Sequence, residues 1–140
     1  MADKTKLAKQ FIEAIPHARA LGLELTRIGN GEAEIRMPYN PDLIGDPQTG
    51  VIHGGAVSAI LDTCCGAAVM SHPGAPGGTA TIDLRIDYMR AATPGQTIVT
   101  HATCYHLTRN VAFVRATAVD ESKDQPVATA AGAFTVEHRK

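Results

Sequence analysis

The chain has 140 residues, 44% of them hydrophobic, which is the size of one domain able to bury roughly 70% of its unfolded surface. Thirteen Lys and Arg against fourteen Asp and Glu leave a formal charge of −1, and the charges are scattered. That excludes the electrostatic footprint of a nucleic-acid or anionic-membrane binder, so any anionic ligand has to be held locally.

No apolar run reaches the roughly 18 residues that span a bilayer, and residues 1–10 lack a signal peptide's apolar stretch, so the expected address is cytoplasmic. Cys64, Cys65 and Cys104 have no CxxC spacing and the six histidines form no HExxH. Neither a disulfide framework nor a metal site is expected.

In chain order, Leu7, Phe11, Ile12 and Ile15 fall on one helical face, with Asp3 as N-cap and Pro16 as stop. This predicts a short amphipathic helix, an appendage at residues 1–17. Leu21, Leu23 and Leu25, then Ala33, Ile35 and Met37, alternate around Gly29-Asn30-Gly31, which predicts a hairpin. Residues 40–50 read as a loop leading to a long apolar helix over about residues 54–71, ended by His72 and the Pro/Gly segment 73–78. Ala80, Ile82, Leu84, Ile86 and Tyr88 then alternate with Thr79, Thr81, Asp83, Arg85 and Asp87, a strand with one dry face. Three more antiparallel strands are expected over about residues 96–107, 110–120 and 127–137. Of these, residues 111–118 are apolar on both faces apart from Arg115 and Thr117 and predict a central strand covered on both sides. The long helix covers one side, and a second subunit or the N-terminal helix covers the other. The class is α+β: an antiparallel sheet wrapped around one long central helix, with a short N-terminal helix, in a single domain over residues 1–140.

Chemistry is expected at the helix mouth and within the helix. Gly54 and Gly55 expose backbone N–H groups where orphan donors and the helix dipole favour negative charge, a place for a developing oxyanion; paired glycines also suit a tight turn. His53 is either an organiser of the helix mouth by hydrogen bonding or a base with no nucleophile adjacent in sequence. Asp62 stands among Ile60, Leu61, Cys64 and Cys65 and is expected in a dry wall. There it serves as nucleophile or general base, unless it is a structural carboxylate bonded to Ser58, Thr63 or a strand. Gly54 and Asp62 are eight residues apart, about 12 Å along a helix axis, which is too far for one reacting carbon. Both groups act on one carbonyl only if two copies set their helices antiparallel, giving a symmetric dimer with two equivalent sites.

His53-Gly54-Gly55, Leu61-Asp62 on the same helix, and the following strand ending in Tyr88-Met89-Arg90-Ala91 resemble the hotdog-fold acyl-CoA thioesterases of the phenylacetic-acid-degradation (PaaI-like) type. The resemblance covers roughly residues 21–136 and implies a hotdog fold and hydrolysis of a small or medium acyl-CoA. It also implies a homo-oligomer, dimer or homotetramer, with sites shared between two subunits. In that family the amide here supplied by Gly54 polarises the thioester carbonyl, Asp62 activates water or attacks, and Thr81 supports the water. Many relatives carry an asparagine six residues before the motif histidine; this chain has Pro47 there, and Gln48 is the neighbouring amide that can stand in. Coenzyme A enters as part of the substrate, with Gly55, Arg90, Arg109 and Asn110 as its candidate contacts, no other cofactor, and the 73–78 segment as a border of the acyl pocket. Two other functions fit the same scaffold: hydration or dehydration of an acyl thioester, and acyl-CoA binding without catalysis.

Overall fold

The computed structural model describes residues 2–138. Two helices, α1 (Ala2–Ala14) and α2 (Pro16–Leu21), lead into the sheet. Because α1 already includes Ala2, Asp3 lies within the helix and not ahead of it as the expected N-cap position. Pro16 does not stop helical structure; it opens α2, where its fixed φ and missing N–H are harmless at the first helical position. Gly22 ends α2 in the left-handed region (φ 70°), so Leu21 closes a helix and the first strand begins only at Glu24.

Strands β1 (Glu24–Gly29) and β2 (Glu32–Met37) form the expected hairpin. Its turn residues Asn30 and Gly31 both have positive φ (55° and 82°), the backbone that a tight two-residue turn demands. The segment read as loop contains a single 3-10 turn (Pro41–Leu43) and a small antiparallel pair, β3 (Ile44–Asp46) with β4 (Val51–Ile52). The Asp46 carboxylate closes that pair's turn by accepting from the Gln48 N–H (3.1 Å) and Thr49 Oγ1 (2.8 Å).

The long helix α3 (Gly54–Met70) follows, then β5 (Thr81–Tyr88), β6 (Ile98–Leu107), β7 (Val111–Val119) and β8 (Ala128–Thr135). The main sheet is antiparallel throughout, in the order β1-β2-β6-β7-β8-β5. α3 packs across it, chiefly on β2, β6 and β7. Ala56, Val57, Ile60, Leu61, Cys64, Cys65, Ala67, Ala68 and Val69 are buried there. Ile60 and Leu61 have no exposed surface, and burial of each contributes about 1.5–3 kcal/mol. The sheet answers with small side chains, Ala33, Ala102, Ala112 and Ala118, all fully buried, which let the helix approach closely.

One stripe of α3 escapes this burial. Ser58, Asp62, Gly66 and Met70, four residues apart and hence on one side of the helix, stay half-buried or exposed. Asp62 therefore does not lie in a dry wall within the chain.

Two further expectations change for the same geometric reason. β5 pairs only with β8, so it is an edge strand, and its inner face is covered only in part: Leu84 and Ile86 are half-buried against the core while Tyr88 is 51% exposed. β7 is central but covered on one face, with Ala112, Val114, Ala116 and Ala118 buried while Phe113 and Arg115 opposite are half-buried and exposed. The N-terminal helix does not supply the second cover; it packs on β1. Among the described residues no helix is long and apolar enough to cross a membrane.

Where β5 and β7 end, Arg90 and the buried Asp120 lock the loops together through two bonds of 2.7 and 2.8 Å. Arg90 also donates to the carbonyls of Gln125 (3.0 and 2.7 Å) and Ala91 (3.2 Å), so all its N–H donors are engaged. The guanidinium, helped by the N–H groups of Thr93 and Ser122, holds the Asp120 carboxyl well below the usual carboxylate range. A depressed folded-state pKa stabilises above the unfolded carboxylate value and is lost as pH falls. Asp120→Asn is therefore expected to lower unfolding free energy by about 1–3 kcal/mol near neutrality, and the gap to wild type narrows as pH drops below about 4. Urea unfolding at neutral pH and at successively lower pH measures both.

Candidate functional site

His53 caps α3 with its own ring: Nδ1 accepts the Gly55 N–H at 2.7 Å, which leaves the ring proton on Nε2. A Cβ on Gly55 would stand 2.9 Å from that Nδ1, so the second glycine makes room for the imidazole. Gly55 is thereby removed as a contact for coenzyme A through its N–H, since that donor is spent on the cap. The Gly54 N–H, one position earlier, has no acceptor among the described residues. The Gly54 carbonyl is held from the other side by Tyr88 Oη (2.8 Å) and Ser58 Oγ (3.2 Å), which also contact each other; with one proton apiece, one hydroxyl donates to the carbonyl and the other to its neighbouring hydroxyl. Gly54, Tyr88, Met89 and Ala92 border a cleft of about 280 Å³.

Two turns further along α3, Asp62 Oδ1 accepts from Thr81 Oγ1 at 2.6 Å. The strict alternation of residues 79–88 places Thr81 on the outer face with Asp83 and Arg85. The pairing breaks that alternation, because Thr81 opposes Phe134 and Asp83 opposes the next residue, Ala133, leaving Ile82 as an inserted bulge residue. Thr81 turns inward with the buried Phe134, and Ile82 turns out. Gly132 accommodates the bulge, since a Cβ there would lie 2.2 Å from the Asp83 carbonyl oxygen and 3.1 Å from Leu84 Cα. Asp62 Oδ2 takes no bond from the described residues, and the carboxyl borders a groove of about 650 Å³ between α1, the open stripe of α3 and the start of β5.

The remaining candidates are scattered. Gln48 sits exposed at the β3–β4 turn and lines neither cavity beside Gly54 or Asp62. Arg90 is withdrawn from phosphate binding by Asp120 and the loop carbonyls described above. Arg109 and Asn110 are exposed in the β6–β7 turn, at the opposite end of the sheet from Arg90: Val111 pairs with Thr135, whereas Tyr88 pairs with Ala128. Of the 73–78 segment, Gly77 and Gly78 border the 650 Å³ groove.

The cysteines are structural. Cys64 donates to the carbonyls of Ala33 and Thr100, and burial pushes its thiol pKa up. Burial, then the nearby charge of Asp62, pushes Cys65 up to about 12, far from the thiolate a nucleophile requires. Tyr88 is the participant that the sequence names as the last apolar member of a strand and as part of the Tyr88-Met89-Arg90-Ala91 motif, without assigning it a role; a further signal is its hydroxyl at the end of an otherwise aliphatic stripe.

The structure thus holds two separate polar centres, a Gly54 amide without an acceptor among the described residues at the mouth of α3 and a hydroxyl-bound carboxylate about 12 Å along it. The family model of the thioesterase superfamily matches residues 49–127, a span containing Gly54, Asp62, Thr81 and Tyr88. The chain belongs to the thioesterase superfamily, and its fold is the hotdog fold. YigI of Salmonella typhimurium, named a medium/long-chain acyl-CoA thioesterase, is 30% identical over 97 residues, which are 60% of this chain and 63% of that protein. The chain spans less than two thirds of the length of the first two curated relatives, 62% and 63%. Among solved structures, a Pseudomonas aeruginosa protein superposes with a TM-score of 0.82 at 37% identity, covering 94% of this chain and 97% of that one. A mutant form of the phenylacetic acid degradation protein PaaI from Thermus thermophilus gives 0.76 at 28% identity, covering 86% and 98%.

Two glycine substitutions separate the roles of the backbone. Gly132→Ala drives a Cβ into backbone and is expected to cost about 1–3 kcal/mol. Gly66→Ala meets only Phe134 Cε2 at 3.8 Å and, through helix propensity, is expected to stabilise by up to about 1 kcal/mol. Denaturant titration of the two variants against wild type gives opposite signs.

Proposed function

We propose that this protein is an acyl-CoA thioesterase, releasing a free acid and coenzyme A at two equivalent sites formed between two copies of the chain. The observation that carries this reading is the Asp62–Thr81 pair on the unburied stripe of α3, with the unpaired Gly54 amide on the same helix. The unpaired edge of β5, with Ile82, Tyr88 and Met89 exposed, supports a strand-to-strand contact that sets two α3 helices side by side and antiparallel. Gly54 of the partner subunit then comes to Asp62.

In that arrangement the thioester carbonyl oxygen points at the Gly54 N–H, reinforced by the positive end of α3. Asp62 takes a proton from water, whose oxygen adds to the carbonyl carbon. Collapse of the oxyanion breaks the C–S bond, and the thiolate of coenzyme A leaves and is protonated. Direct attack by Asp62, through an acyl anhydride that water then opens, uses the same groups. Thr81 holds the carboxylate and the water, and His53 fixes the mouth of the helix. Coenzyme A is half of the substrate, and the chemistry calls for no resident cofactor. Arg109 and Asn110, exposed at a turn, remain candidate contacts for its phosphates, and the open outer face of β7 supports a dimer of dimers. Three free cysteines fit a cytoplasmic setting.

Asp62→Asn keeps an acceptor for Thr81 but loses basicity, so thiol release from acyl-CoA is expected to fall about 10²–10⁴-fold with unfolding unchanged. Equal turnover by the variant removes Asp62 from the mechanism. Gly54 is the first helical residue, where proline is tolerated, so Gly54→Pro deletes the proposed donor while preserving the helix. Its kcat is expected to drop about 10²–10³-fold, while Gly54→Ala, which retains the N–H, stays active. Light scattering under assay conditions is expected to give a dimer or larger; a fully active monomer overturns the shared site.

A further inference from the structure

The groove beside Asp62 extends well past the carboxylate. It follows α3 from Asp62 to Met70, eight residues or about 12 Å, and its volume of about 650 Å³ suits a sizeable organic ligand. The facing wall is α1, whose Leu7 and Phe11 stand one turn apart along the groove, with Ile15 just past the helix's end continuing it. Leu7 is 64% exposed, Phe11 69% and Met70 40%. Large apolar side chains gathered on one open groove mark a binding surface. Gly66 keeps the floor open between Asp62 and Met70, since a Cβ there would find only the Phe134 ring at 3.8 Å.

Charge and shape decide the occupant. Among the described residues no Lys or Arg lines the groove, while the carboxylates of Asp62 and Glu137 do, so the phosphates of coenzyme A are repelled from it. A compact arylacetyl group ends beside Asp62 and leaves the stretch from Gly66 to Leu7 in water. A linear chain lies along that stretch and covers it.

Resting on the thioesterase reading above, we propose that this groove binds a linear aliphatic acyl chain of medium length and that α1 sets the length accepted. α1 lies outside residues 49–127, the stretch matched by the family model, so this wall is supplied by the chain's own N-terminal segment.

The test is kcat/KM for butanoyl-, hexanoyl-, octanoyl-, decanoyl- and phenylacetyl-CoA with wild type, Gly66→Leu, Phe11→Ala and, as a control away from the groove, Lys9→Ala. Wild type is expected to gain about three- to fourfold per added methylene and to prefer decanoyl- to phenylacetyl-CoA. Gly66→Leu plugs the floor and lowers the decanoyl-to-butanoyl ratio about tenfold or more. Phe11 is so exposed that truncation spares the fold; Phe11→Ala lowers the same ratio severalfold, and Lys9→Ala leaves it unchanged. A flat chain-length profile, a phenylacetyl optimum, or a ratio indifferent to both groove variants overturns the proposal. Hydrolysis of none of the esters overturns the thioesterase reading instead. Calorimetry with decanoyl-CoA then judges the groove by itself: binding weakened about tenfold by Gly66→Leu upholds it, and equal binding refutes it.

Discussion

Everything in this molecule is arranged around the burial of α3. A helix this apolar has to be enclosed on most of its circumference, and a six-stranded sheet that keeps alanines where the helix approaches does so. A sheet on one side cannot enclose a helix completely. The stripe Ser58, Asp62, Gly66 and Met70 is left uncovered or half-covered, with Ala59 and Thr63 half-buried beside it, and the helix's one carboxylate falls on it. The packing that stabilises the fold therefore also presents the carboxylate, while the Gly54 amide has no acceptor among the described residues because a helix leaves its first N–H groups unpaired.

The two carboxylates that matter have opposite surroundings. Asp120 is buried and surrounded by donors, with Arg90 making two charge-assisted bonds and backbone N–H groups completing the set. It is held ionised, and its role is to pin the β5–β6 connection to the β7–β8 loop. Asp62 receives one hydroxyl and keeps a free oxygen on an open groove. A carboxylate left under-satisfied beside an apolar surface is suited to accept a proton or to attack, whereas one saturated with donors is not. The same contrast disposes of the thiols: Cys64 and Cys65 are sealed in the core, where burial opposes the thiolate.

Much of the scaffold was legible before any coordinates. The Asn30-Gly31 turn, the long helix and its Pro/Gly stop, and the four C-terminal strands follow from short-range patterns that hold wherever the chain goes. The first boundaries differ from the sequence expectation because Pro16 serves equally well as a stop and as a first helical residue, and local sequence does not choose between them. The resemblance alone makes Gln48 the stand-in for the missing asparagine beside Pro47 and Arg90 a phosphate contact at a strand end. Asp46 and Asp120 organise those segments instead, the first through the Gln48 N–H and the second through the Arg90 guanidinium.

By itself, the sequence determined that a free helix-mouth amide and a carboxylate share one helix and cannot share one site, because helical rise is independent of context. Only the tertiary structure decided which face of β5 Thr81 occupies. Side chains on a strand alternate with period two, so a single inserted residue reverses every position beyond it. Whether that insertion occurs depends on the partner strand, here on Gly132, which comes 51 positions after Thr81 in the chain and makes room for the bulge at Ile82. The stripe of α3 left uncovered was likewise beyond reach of the helix's own residues, since nearly all of them are apolar and the sheet chooses which to bury.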